Sequence, residues 1–232
     1  MGLALLGCPD PESIGYHPQP VPERVSQSAS PRPSPAQAST AATFYAVIFL
    51  IGFFWHGAAQ ETNDIWRLDP EQGLTTLLWT PLLGVGFGLL VVRGFRALEG
   101  RMSWLSALQQ EFRDLLGRPS NRDLFVLALA SSLGEEVLFR GAMLDAWGPW
   151  ISSVVFAGLH IGPKRSLWPW TLSSLLLGLC LAGLTLATGN LGAAIAAHFV
   201  INLLNLHYIT RRSGDLLRRS RKSPSGAAIQ RL

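Results

Sequence analysis

In the run Gly134-Glu135-Glu136-Val137-Leu138-Phe139-Arg140, two carboxylates and a guanidinium stand inside an otherwise apolar stretch. Farther along, Phe156-x-x-x-His160 and His198-x-x-x-Asn202 set two histidines in two more apolar stretches. A spacing of four puts both members of each pair on one helix face. Glu136 and Arg140 can therefore pair. Glu135 sits about 100° around the helix from Glu136 and has no local cation to neutralise it. One glutamate is thus explained as an ion pair, and the other is left to react.

Peptide hydrolysis would use this set of side chains. It needs an activated water, a group that stabilises the developing oxyanion, and a proton for the leaving amine. A carboxylate desolvated inside a helix bundle becomes a stronger base, which suits Glu135 to the water. A neutral His160 can share and orient that water, and His198 with Asn202, one turn apart, can donate to the tetrahedral oxyanion. A plainer reading stands beside this one: Glu136–Arg140 as an ion pair holding helices together, and each histidine as a hydrogen-bonded core residue. Three ionisable helices in one bundle weigh toward function, because each such group costs about 2.5–3.5 kcal/mol to insert. Ser131, Ser132 and Ser173 offer hydroxyls but have no base at a recognisable spacing. Cys8 and Cys180 form no Cys-x-x-Cys pair, which argues against a thiolate zinc site.

The elements that must position these residues are membrane spans. Of 232 residues, 48% are hydrophobic and only 15% charged, well below the quarter usual in soluble domains. The expected fold is all-α: a polytopic transmembrane helix bundle with apolar segments at about 42–58, 75–93, 123–143, 149–162, 168–188 and 190–209. The fourth is short for a span and is expected to tilt or to cross only in part. Asn121 is placed to cap the third. Residues 1–40, holding eight of the 15 prolines, read as a disordered tail. Within it Leu5-Leu6-Gly7-Cys8 is a chance likeness to a lipoprotein box, since no basic region precedes it.

Residues 41–120 hold two spans and an amphipathic helix, in which Trp104, Leu105, Leu108 and Phe112 face one way and Gln109, Gln110, Arg113 and Asp114 the other. That helix either lies on the leaflet or packs on the bundle. Gly84 and Gly88 form a small-xxx-small packing pair rather than a nucleotide loop. Residues 121–209 carry the candidate site, and 210–232 form a basic tail. With six spans and both termini in the cytoplasm, nearly every Arg and Lys of the loops falls inside; Arg67 is the exception. The pI near 9.6 is therefore a matter of membrane orientation, and no nucleic-acid partner is expected.

The ordered motifs Glu135-Glu136-x-x-x-Arg140, Phe156-x-x-x-His160 and His198-x-x-x-Asn202 resemble those of the CAAX prenyl protease and bacteriocin-processing family, also called CPBP or Abi, over about residues 121–209. The resemblance implies an intramembrane glutamic endopeptidase. Glu135 and His160 would act on the water, and His198 with Asn202 on the oxyanion. Glu136, Arg140 and Phe156 would support the site. It implies no cofactor in the metal-free form of the mechanism. The alternative is a zinc site of Glu135, His160 and His198. Membrane lipids and a membrane-associated protein or peptide substrate are the expected partners, in the plasma membrane of a bacterium. Two other classes stay open: a non-catalytic interaction or immunity protein on the same scaffold, and a proton-coupled transporter. Depth sets one condition. Glu135 lies about 18 Å along its helix from the cytoplasmic end, whereas His160 is near that end of its own segment, so a shallow or tilted fourth helix is required.

Overall fold

The long apolar stretches separated by charged turns fold as helices throughout. The structure is a computed structural model that describes residues 35–60, 64–67, 71, 73, 75–99, 101–116 and 119–222. The Leu5–Cys8 sequence, most of the Pro-rich tail and the last ten residues lie outside the described residues. In chain order the helices are α1 (Pro35–Gln60), α2 (Thr76–Leu98), α3 (Ser103–Leu116), α4 (Asn121–Glu136), α5 (Leu144–Gly158), α6 (Trp168–Thr188) and α7 (Gly192–Lys222). A π-helical segment, Val137–Met143, joins α4 to α5, and a 3-10 turn, Arg165–Leu167, leads into α6. Among the described residues the strand-like pairing is one isolated bridge, Arg67 with Asn190.

Four stretches are long and apolar enough to cross a membrane: Thr40–Gln60, Thr76–Leu98, Arg165–Thr188 and Gly192–Arg211. Their outer faces carry exposed Phe54, Leu78, Leu82 and Leu90, as lipid-facing helices do. The chain is an integral membrane protein. The other two of the six expected spans depart from the apolar pattern for separate reasons. Asn121–Met143, 16 α-helical and 7 π-helical residues, has the length but carries the charged cluster, which the bundle encloses. In α5 the helix breaks at Gly148, whose φ of 78° suits a residue without a Cβ, and restarts at Pro149. The part from there to Gly158 rises only about 15 Å, half the hydrocarbon thickness.

Local chemistry explains the boundaries. The cap of α4 is Ser120 rather than Asn121: its hydroxyl accepts from the Asp123 N–H at 3.2 Å while Asp123 Oδ2 accepts from the Ser120 N–H at 2.9 Å. Asn121 becomes the first helical residue. Two structural boundaries shift at the chain's flanks. α1 begins at Pro35, inside the expected tail, and α7 continues as helix to Lys222, inside the expected basic tail.

α4 with its π segment and α7 form the centre. α1 packs on α4 and the π segment, α2 on α7, and the pair α5–α6 closes the remaining side. Gly84 and Gly88 of α2 meet α7 backbone: a Cβ on Gly88 would stand 2.9 Å from the Ala197 oxygen, and one on Gly84 would be closer still to that of Ala193. α3 packs on the bundle, with Phe112 against Trp170 and Trp104 against Phe95. Gln109, expected on the polar face, is instead buried and donates to Glu99 at 3.1 Å.

Candidate active site

Glu135 and Glu136 leave α4 in different directions yet meet the same imidazole. Glu136 Oε1 lies 2.7 Å from His198 Nδ1 and Glu135 Oε2 lies 3.7 Å from His198 Nε2. His198 is held there because its helix runs alongside α4 at the bundle centre. Glu136 is wholly buried and also accepts from Arg140 Nη1 at 2.9 Å. Arg140, likewise wholly buried, gives a second bond from Nη2 to the Gly178 carbonyl at 3.1 Å and lies over the Phe156 ring at 4.5 Å. Glu136 is thereby committed twice. Among the described residues Glu135 Oε2 has no hydrogen-bond partner, although it is buried. An acceptor oxygen left unsatisfied in a bundle interior marks a place where a water or a substrate group belongs.

The π segment helps aim Arg140. Two carbonyls of the segment take side-chain donors, that of Phe139 in addition to the Leu144 N–H it accepts in the i→i+5 ladder. Ser152 Oγ donates to the Phe139 carbonyl at 2.7 Å, and His56 Nδ1 reaches the Gly141 carbonyl at 2.9 Å.

One turn toward the start of α4, Ser131 accepts a hydrogen bond from Asn202 Nδ2 at 3.0 Å. His198 and Asn202 on α7 thus face Glu135 and Ser131 on α4 as two antiparallel rows. His160 stands apart from them. It lies in the turn after α5, half-buried, with Nδ1 bonded to the Phe156 carbonyl at 2.8 Å. Its ring centre is 4.5 Å from that of Phe156, and the Phe156 centre is 6.1 Å from that of His198. Phe156 therefore sits between the two histidines. Among the described residues no His, Cys, Asp or Glu side chains form a group of three able to hold a metal ion, so Glu135, His160 and His198 are not gathered as zinc ligands.

Sequence reasoning did not find Tyr45. It lies on α1, with its phenol near enough to the Glu135 carboxyl group to interact with it electrostatically. The approach is close because a Cβ on Gly134 would stand 2.7 Å from the Tyr45 carbonyl oxygen. A phenol inside an otherwise apolar span was the available signal.

The fold and the cluster together define an all-α membrane bundle that encloses two glutamates, an arginine and a histidine in its centre. Residues 120–204 match the family described as type II CAAX prenyl endopeptidase Rce1-like. The chain is also 31% identical over 190 residues to the uncharacterized protein YpbD of Bacillus subtilis (strain 168), a match covering 75% of this chain and 92% of the relative. No solved structure matches it. The chain belongs to the type II CAAX prenyl endopeptidase Rce1-like family, and that membership points to a protease.

Proposed function

We propose that the chain is an intramembrane glutamic endopeptidase in which Glu135 activates the hydrolytic water. The observation that carries this reading is the unequal state of the two glutamates. Each carboxylate keeps a buried Oε2 without a hydrogen-bond partner among the described residues, but Glu136 Oε1 is bound by both Arg140 and His198, whereas Glu135 has no such tie and its open Oε2 faces His198 Nε2 at 3.7 Å. In the reaction Glu135 takes a proton from water as the oxygen attacks the scissile carbonyl carbon. The carbonyl electrons move onto its oxygen. Collapse of that intermediate breaks the C–N bond as the proton passes to the leaving amine.

His198 Nε2 and Asn202 Nδ2 are the donors for the oxyanion. With Glu136 accepting at Nδ1, a doubly protonated His198 can donate from Nε2. Two carboxylates, one guanidinium and one imidazolium then balance in charge, which favours holding all four in a low-dielectric interior. His160 stands on the other side of the Phe156 ring from His198. Because His160 Nδ1 is engaged by a carbonyl, Nε2 is the nitrogen available to the water. No metal enters this scheme. The substrate is a membrane-associated protein or peptide, prenylated or not, cut in the plasma membrane of a bacterium with both termini of the enzyme in the cytoplasm.

The test is cleavage of membrane peptides by purified protein in liposomes, comparing wild type with Glu135→Ala and Glu136→Ala, each with and without a zinc chelator. Loss of cleavage in folded Glu135→Ala, insensitive to chelator in wild type, is the expected result. Chelator-sensitive cleavage would replace this scheme with a metal-dependent one. A folded wild type that cleaves nothing in a broad library, with Glu135→Ala keeping its cellular role, would overturn protease function in favour of a binding or immunity role.

A further inference from the structure

Asn202 can serve an oxyanion only if it presents an N–H, and a carboxamide presents either an N–H or a carbonyl depending on how it is turned. Its surroundings decide that orientation. Asn202 Nδ2 lies 3.0 Å from Ser131 Oγ. A serine hydroxyl has one proton, and that of Ser131 is directed to the Ala128 carbonyl at 3.2 Å, on its own helix. Ser131 Oγ therefore meets Asn202 with lone pairs only. It accepts from Nδ2 and would repel Oδ1. Ser131 is buried, so water does not compete for this contact.

We propose that Ser131 is a positioning residue that fixes the turn of the Asn202 carboxamide, so that its second N–H remains for the oxyanion. The inference rests on the proteolytic reading above and gives a task to a hydroxyl whose one proton is held by a backbone carbonyl rather than by a base. The register supports it. Ser131 precedes Glu135 by one helical turn, and Asn202 follows His198 by one, so the base faces the histidine while the serine faces the amide. Without the Ser131 hydroxyl, the amide is free to turn its carbonyl toward the developing negative charge.

The experiment measures kcat and KM for peptide cleavage in liposomes with wild type, Ser131→Ala, Asn202→Ala and the double variant, with thermal unfolding followed in parallel. Removing an oxyanion donor outright costs about 10²–10³ in kcat, and an unfixed donor should cost less, about tenfold. Ser131→Ala is expected to lower kcat by that factor with KM unchanged, and to add nothing once Asn202 is alanine. A simple packing role would instead multiply the two losses. Wild-type kcat in Ser131→Ala, a change confined to KM, or multiplicative losses in the double variant would each overturn the inference while leaving the protease standing. Absence of cleavage by folded wild type would remove the protease reading and this inference with it.

Discussion

Two buried polar clusters sit along the apolar part of α7, Gly192–Arg211, one at its start and one at its middle, and they differ in how fully their atoms are bonded. At the start, Asn190 Oδ1 accepts from Thr80 Oγ1 at 2.8 Å and from the Gly192 N–H at 2.9 Å, while Asn190 Nδ2 donates to the Thr188 carbonyl at 2.9 Å. Every one of these side-chain atoms has a partner. In the middle, Glu135 Oε2, Glu136 Oε2 and Arg140 Nε are buried without one among the described residues. The first cluster ties the turn between α6 and α7 to α2 and behaves as a rivet. The second holds charges in the interior and leaves part of their bonding capacity unused, a costly arrangement for a rivet but a useful one for a reacting site.

The largest expected effect separates the two clusters directly. Glu135→Gln keeps the shape of the side chain and removes the base. Cleavage should fall by about 10²–10⁴-fold, with thermal unfolding in detergent unchanged or raised. A glutamine variant that cleaves at the wild-type rate would make the middle cluster structural as well. Arg140→Met comes next and breaks the cluster's own support. It leaves Glu136 buried with His198 alone, which should cost about 3–5 kcal/mol, read as lost folded yield and a lowered unfolding midpoint. Unchanged stability would mean that Glu136 is not charged in the folded protein. Asn190→Ala should lower stability by about 1–3 kcal/mol, because Thr80 and Gly192 lose their shared acceptor. The folded fraction should cleave at the normal rate, and a drop in kcat per folded molecule would show that the rivet communicates with the site.

How much of this was legible in the sequence follows from where each interaction is encoded. Glu136–Arg140 could be read because a four-residue spacing within one helix fixes the geometry locally. The packing of Gly84 and Gly88 was readable for the same reason. The cap of α4 was also local: Ser120 and Asn121 are both good caps, and Asp123 three residues after Ser120 completes a capping box that Asn121 lacks. The meeting of Glu135 and Glu136 on one imidazole was not readable, since it depends on the register of α7 against α4 over 62 residues of chain. Nor was the π segment, two of whose carbonyls accept from His56 of α1 and Ser152 of α5. Gln109 was misplaced because a polar residue at the edge of an amphipathic stripe goes inward when a half-buried acceptor such as Glu99 awaits it. Hydropathy likewise counted six segments, four of which have spanning length and composition.

The smallest effect concerns Tyr45, where two influences oppose each other. A phenol that donates to a carboxylate makes it a weaker base, so its removal should by that measure speed water activation. The same phenol, standing beside the carboxyl group, can help to keep it in place. Glu135 already has one buried oxygen without a partner, and losing the phenol would leave its position set by His198 Nε2 alone, at 3.7 Å. Placement of a general base within hydrogen-bond reach of the water comes before its strength, because a misdirected base transfers no proton. Tyr45→Phe should therefore lower kcat by roughly two- to tenfold, the worth of one hydrogen bond, with the α1–α4 packing at Gly134 intact. The comparison is steady-state kcat against the unfolding midpoint for the same preparation. A faster enzyme would show that basicity outweighs placement and that His198 alone orients Glu135; an unchanged one would make Tyr45 a packing residue.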